Sequence, residues 1–270
     1  MNEFKRDFHH PWIEDLSWDN ANGPELLSSV SSVLAGSSRR AWVFDLDSTL
    51  FCVEPRTRFI FSEFLREQVK VPQEWWKLLS FLGLMTHTYS VQDMFELGFR
   101  EMDSSNSEKK AKDLWKAFEP HWMKSFFIGR YMHYDQPYRG AVEFVQKVQS
   151  AGHDIVYLTG REYQKAFGAT VDSLKQWGFP TGPDIQLILK PWQWRHLSDF
   201  EYKDRACSII ASQYNVVCSV DNEPENLLAF AKNFPAAHLA LFHSVMSKRR
   251  PSTSDERVLA GRKLIKLFNY

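Results

Sequence analysis

Two hydrophobic periods divide the chain. Short apolar runs recur at residues 41–44, 154–158, 185–189, 216–220 and 238–242, each of strand length and each bounded by polar or turn-forming residues. Runs of this kind predict strands buried on both faces. Between them the spacing becomes helical, as in Ala141, Phe144, Val145 and Val148 before Gly152, and in Leu227, Leu228 and Ala231 before Pro235. Strands alternating with helices predict a Rossmann-like, doubly wound α/β core whose parallel sheet is covered on both sides.

Residues 53–134 interrupt this alternation. Phe61, Phe64, Leu65 and Val69 fall on one helical face and Trp115, Phe118 and Trp122 on another, with a polar turn over 103–107 and no strand-like segment between. The expected organisation is an all-helical cap at 53–134, inserted into a core formed by 41–52 and 135–270. An N-terminal extension, 1–40, holds a helix over 24–34. The polar stretch 247–256 predicts a surface loop before a last helix.

A length of 270 residues with a hydrophobic fraction of 44% suffices for such a core plus a small second unit. Lys plus Arg and Asp plus Glu both number 33, so no overall field favours nucleic acid or an anionic membrane, and Lys248-Arg249-Arg250 reads as a solvated loop. Cys52, Cys207 and Cys218 have neither metal-ligand spacing nor the look of a disulfide framework. No secretory signal and no run long enough to span a bilayer is visible, so a cytoplasmic protein is expected.

The chemistry concentrates at three strand ends. Asp45 and Asp47 fall on the same side of the chain where the first strand ends, and two carboxylates sharing a site need a cation or a retained proton. Thr159-Gly160-Arg161 brings a hydroxyl and a glycine to a strand-to-helix turn suited to phosphate oxygens, although alone such a tripeptide usually reads as only a helix cap. The segment 221–226, Asp-Asn-Glu-Pro-Glu-Asn, offers oxygen ligands for a hard cation such as Mg2+; its plain alternative is an acidic helix start followed by proline.

Taken in order from Ala41 to Asn226, these segments resemble the haloacid dehalogenase superfamily. The resemblance implies a phosphatase in which Asp45 attacks phosphorus to form an aspartyl phosphate, while Asp47 protonates the leaving oxygen and later activates water. It implies that Thr159 holds a phosphate oxygen, with Gly160 and Arg161 on the substrate. Mg2+ would be held by Asp45, Asp221 and the backbone carbonyl of Asp47, assisted by Asn222 or Glu225. It also implies a lysine: Lys203 is preferred for its place before the Asp221 strand, and Lys190 is the alternative, assigned to the substrate-facing rim. Asn222 stands where many members carry a second Asp, and Ser48 where Gly is frequent.

A cap of this size implies a small phosphorylated metabolite as substrate rather than a polymer. Its aromatics, Trp75, Trp76, Phe81, Trp115 and Trp122, read mainly as core of the helical unit. A phosphotransferase or mutase, and a non-catalytic phosphate-binding or partner-binding protein, are the alternative readings; a dehalogenase has no use for Asp47 or for the metal ligands. The oligomeric state has no signature in the sequence.

Overall fold

The computed structural model describes residues 16–32, 40–82, 88–102, 105–183, 185–247, 257–259 and 261–270. A seven-stranded, all-parallel sheet forms its centre. The strands are β1 (Asp19–Ala21), β2 (Arg40–Phe44), β5 (Asp154–Glu162), β6 (Ile185–Lys190), β7 (Asn215–Asp221), β8 (His238–Phe242) and β9 (Leu264–Leu267), in the order β1-β9-β8-β7-β2-β5-β6. The five apolar runs are five of the seven strands, the adjacent β8, β7, β2, β5 and β6, and the fold is the doubly wound α/β class they predict.

Helices cover both faces. Ala41 and Val43 point toward α8 (Asp199–Gln213) and α9 (Pro224–Asn233), whereas Trp42 and Phe44 point toward α1 (Gly23–Ser32) and α6 (Ala141–Ser150). This alternation along one strand creates two apolar layers, and the strand order leaves the carboxyl ends of β7, β2 and β5 side by side at one end of the sheet.

Residues 54–134 contain α2 (Glu54–Glu67), α3 (Gln73–Leu82), α4 (Val91–Glu101), α5 (Ser107–Ser125) and a 3-10 turn, Gly129–Tyr134. They share a separate apolar core around Phe61, Phe95 and Phe118. The chain leaves for these helices through β3 (Phe51–Cys52) and returns through β4 (Gln136–Pro137), an antiparallel two-stranded ribbon. α7 (Tyr163–Trp177) follows β5 and ends at Gly178, whose φ of +82° is the left-handed stop that glycine accommodates.

Three expectations need correction. Residues 19–32 are not an appendage, because β1 pairs with β9 at the sheet edge. The chain does not close on a helix: the segment LIKL is too short to show a helical period, and it finds β8 as a parallel partner. Val69 lies beyond the end of α2 and is 98% exposed, so it belongs to no apolar face. Residues 248–256 and 103–104, within the predicted loop and turn, lie outside the described residues.

Trp42 is fully buried against Phe44, Phe144 and His153, yet its indole N–H finds no acceptor among the described residues. Trp42→Ala should cost about 3–5 kcal/mol in urea unfolding, whereas Trp42→Phe, which removes the orphaned donor along with part of the ring, should cost less than about half of that.

Candidate active site

The β2–β7 ladder continues one residue past β2, where the Asp45 amide donates to the Val220 carbonyl at 3.0 Å. Asp45 therefore lies beside Asp221, and both carboxylates are buried. Lys203 reaches them from α8: its Nζ donates to Asp45 Oδ1 and to Asp221 Oδ2, each at 2.8 Å. The lysine's position follows from local sequence. Ser198 and Glu201 form a reciprocal capping box that fixes the start of α8, with bonds of 3.2 and 2.8 Å, and Lys203 follows within the next turn.

Burial pushes the Asp45 carboxyl up to about 8, against the pull of Lys203 and with the help of Asp221. Asp221 is raised for the same reason, burial outweighing Lys203. Lys203 itself stands well above its ordinary value, because Asp199, Asp221 and Asp45 overcome the cost of its burial. One ammonium between two buried carboxylates leaves an excess of negative charge.

After Asp45 the chain turns sharply. Ser48 has φ +63°, its amide donates to the Phe51 carbonyl at 2.7 Å, and its own carbonyl accepts the Ser244 hydroxyl. The left-handed backbone explains why glycine suits this position.

Asp47 has different company. Arg161 Nε lies 3.1 and 3.2 Å from its two oxygens, and Arg56 Nη2 lies 3.0 Å from Oδ1. Although burial opposes it, these guanidiniums hold the Asp47 carboxyl well below the usual carboxylate range. Both arginines also bind Asp135, which is fully buried: Arg56 Nε at 2.7 Å and Arg161 Nη2 at 2.8 Å. Arg161, expected to touch substrate, is thus committed to Asp47, Asp135 and, through Nη1 at 3.2 Å, to Thr170.

The remaining expected residues divide. Thr159 and Gly160 line a cavity of about 440 Å³ together with Asp45, Asp47, Lys190 and Lys203. Lys190 is mostly buried, and its Nζ donates to the Leu197 carbonyl at 2.6 Å. Asn222, expected to assist a metal, has both ends of its amide taken up: Oδ1 accepts from Thr49 at 3.0 Å, and Nδ2 donates to the Val245 carbonyl at 2.5 Å. Glu225 takes no part in the polar contacts of Asp221; besides Lys203, those come from Asn226, whose Nδ2 lies 3.1 and 3.2 Å from the two carboxylate oxygens, and from the Glu223 amide at 2.8 Å.

Sequence reading missed Arg56, Asp135, Asp199 and Asn226. A signal existed for Arg56, which falls on the apolar stripe of Ile60 and Phe64 at four-residue spacing; a charge on such a face predicts a buried partner. Asp199 abuts Gly160 so closely that a Cβ there would meet its Oδ1 at 2.2 Å, so a larger residue would displace the Asp199 carboxylate.

Among the described residues no three His, Cys, Asp or Glu side chains converge as a metal cage. The donor set still fits a hard divalent ion. Mg2+ is commonly held by one or two carboxylates, with water and substrate phosphate completing its shell. The uncompensated charge of Asp45 and Asp221 is what such an ion would offset.

A parallel sheet with a buried carboxylate–lysine–carboxylate group and a threonine gathered at adjacent strand ends defines a phosphatase of the haloacid dehalogenase type. The profile of the HAD superfamily, subfamily IIIB (Acid phosphatase), matches residues 107–269, more than half of the chain, and the chain belongs to that family. The match starts within α5, so the Asp45 segment lies outside it.

Solved structures with a similar chain trace include the class C acid phosphatase from Bacillus anthracis with tungstate bound, at 14% identity, covering 92% of this chain and 75% of that one, with a TM-score of 0.46. A haloacid dehalogenase-like hydrolase from Streptococcus pneumoniae is 13% identical, covering 84% and 93%, with a TM-score of 0.43. A hydrolase from Pseudomonas syringae is 16% identical, covering 86% and 94%, with a TM-score of 0.41. No curated protein matches the chain.

The raised Asp45 carboxyl has a consequence for stability. Below the ordinary value of 3.8, Asp45 is protonated whether the chain is folded or not; between there and about 8, only the folded chain keeps the proton. Stability from this group is therefore full at low pH and falls as pH rises through that window. Asp47 acts oppositely, since its depressed carboxyl contributes stability that is lost only in stronger acid. Magnesium should raise the urea midpoint at pH 8 much more than at pH 4.5, and Asp45→Asn should remove most of that difference; an equal rise at both pH values in wild type would reject the site.

Proposed function

We propose that this phosphatase is a magnesium-dependent phosphomonoester hydrolase that works through an aspartyl phosphate on Asp45. The observation that carries the reading is the buried Asp45 carboxylate held 2.8 Å from Lys203, beside Asp221, and lining the cavity.

Asp45 attacks phosphorus, a P–O bond to Asp45 forms, and the bond to the leaving oxygen breaks, with Asp47 supplying the proton which that oxygen takes up. Water then attacks the aspartyl phosphate, gives its proton to Asp47, and releases phosphate and the Asp45 carboxylate. The two arginines keep Asp47 ionised in the free site, which suits the second step. A phosphate dianion placed beside it favours the protonated form needed in the first. Asp45, Asp221 and the Asp47 backbone carbonyl would hold Mg2+, which offsets charge on the transferring phosphoryl group. Lys203 aligns the nucleophile, and Thr159 and the Gly160 backbone receive phosphate oxygens.

Residues 53–134 act as a cap over this site, excluding water during transfer. The wall they supply is apolar, with Tyr89, Met94, Trp122, Phe126 and Phe127 facing the cavity, so Trp122 serves the pocket as well as the helical core. The cavity's cations are engaged by protein partners: Arg56 and Arg161 by carboxylates, Lys203 by Asp45 and Asp221, and Lys190 by a carbonyl. A small phosphomonoester with an uncharged, apolar leaving group fits this wall better than a substrate carrying a second anionic group.

Asp45→Asn should abolish hydrolysis of an aryl phosphate and prevent labelling of the protein by radioactive substrate, while leaving the circular dichroism spectrum unchanged. Chelation should stop the wild type. Retained turnover in either case would sink the mechanism.

Lys203→Ala should lower kcat by about 10²-fold or more. Lys190→Ala should act mainly on KM. The reverse pattern in steady-state kinetics at saturating magnesium would transfer the charge-offsetting role to Lys190.

A further inference from the structure

We infer that Arg56 is a positioning residue that makes the aim of Asp47 depend on the docking of the helical block; this rests on the proposed role of Asp47 as proton donor. The geometry is a closed ring of alternating charge. Arg56 and Arg161 each bridge Asp47 and Asp135, so two guanidiniums and two carboxylates satisfy one another. Arg56 has no nitrogen to spare: Nε and Nη2 serve Asp135, Nη2 also serves Asp47, and Nη1 donates to the Phe126 carbonyl at 3.0 Å. Its guanidinium also lies 4.5 Å from the centroid of the Phe126 ring.

A neutral ring adds no net positive charge to meet the phosphate. Buried ion pairs are also a weak source of stability, because desolvation offsets most of their attraction. What the ring provides is direction. Arg56, Arg161 and Asp135 have side chains at most 2% exposed, whereas that of Asp47 is 30% exposed and faces the cavity. Three members are therefore fixed in the interior and aim the fourth.

The members come from different parts of the chain. Asp47 belongs to the loop that follows β2, and Arg161 to the carboxyl end of β5. Arg56 lies in the first turn of α2, just after the chain leaves through β3, and Asp135 precedes β4, where it returns. The Arg56–Asp135 pair thus clamps the two chain crossings together while the same guanidinium grips Asp47. A shift of α2 on the β3–β4 ribbon would move Arg56 and release one of the two hands that orient Asp47.

A misaimed Asp47 should hurt most when the leaving oxygen needs a proton. The experiment compares wild type, Arg56→Lys, Asp135→Asn and Asp47→Asn on a series running from nitrophenyl phosphate to phenyl and alkyl phosphates, with thermal melts to confirm folding. Arg56→Lys keeps the charge but cannot make the forked contacts. We expect its kcat to fall by about tenfold or more on alkyl phosphates and by less than about threefold on nitrophenyl phosphate, within the range of general acid catalysis. KM should be nearly unchanged. Asp135→Asn should show the same trend with smaller amplitude, and it decides the question if Arg56→Lys fails to fold.

A uniform loss across the series, or a change in KM alone, would overturn the inference while leaving Asp47 its role, provided Asp47→Asn shows the leaving-group dependence. If Asp47→Asn shows none, the proton-donor reading fails and this inference fails with it.

Discussion

Asp45 and Asp221 are buried side by side with one ammonium between them, and the rest of the site is arranged around that imbalance. Two carboxylates and a lysine carry a net negative charge where water cannot screen it, which is why burial raises both acids. Such a group persists because the backbone forces it. The Asp45 amide completes the β2–β7 ladder, and the α8 capping box fixes the helix that delivers Lys203. The strain is electrostatic, and a divalent cation or a proton relieves it.

Apart from Lys190, which binds a backbone carbonyl, the cations of the cavity accordingly fall into two sets. Lys203 stands against the pair that needs charge, while Arg56 and Arg161 close a neutral ring with Asp47 and Asp135. This separation gives the two aspartates, only two positions apart, opposite character: Asp45 is raised and Asp47 depressed. Pairs of acids whose surroundings push them apart can divide nucleophilic and proton-transfer work between them. The contrast in character here has two sources: burial raises Asp45, while the two guanidiniums hold Asp47 down against its own burial.

The five strands β8, β7, β2, β5 and β6 were legible because they appear as uninterrupted apolar runs, and the carboxylates and the threonine sit at the ends of three of them, with Lys203 on the helix that leads into β7. The two short strands on the far side of β8 were not legible: β1 reads DNA and β9 reads LIKL, and neither carries a period long enough to see. The ring was also hidden. Arg56 and Asp135 are 79 residues apart and share no local motif; only the misplaced charge on an apolar helical stripe hinted at a partner. Asn222 shows the converse, because a residue at a motif position is occupied instead in tying Thr49 to Val245.

The apolar wall and the neutral ring follow from one constraint. A helical block that must cover a charged site cannot carry unpaired charge on its inner face without a desolvation cost of several kcal/mol. Its inner surface is therefore either apolar, as at Trp122 and Phe127, or internally neutralised, as where Arg56 meets Asp135 and Asp47. Arg56 is the point where these two solutions join: its guanidinium plane lies over Phe126, which lines the cavity, while its edges hold the ring. The apolar surface and the ion-pair ring thus meet at the same side chain, so a change in the docking of the helices alters both together.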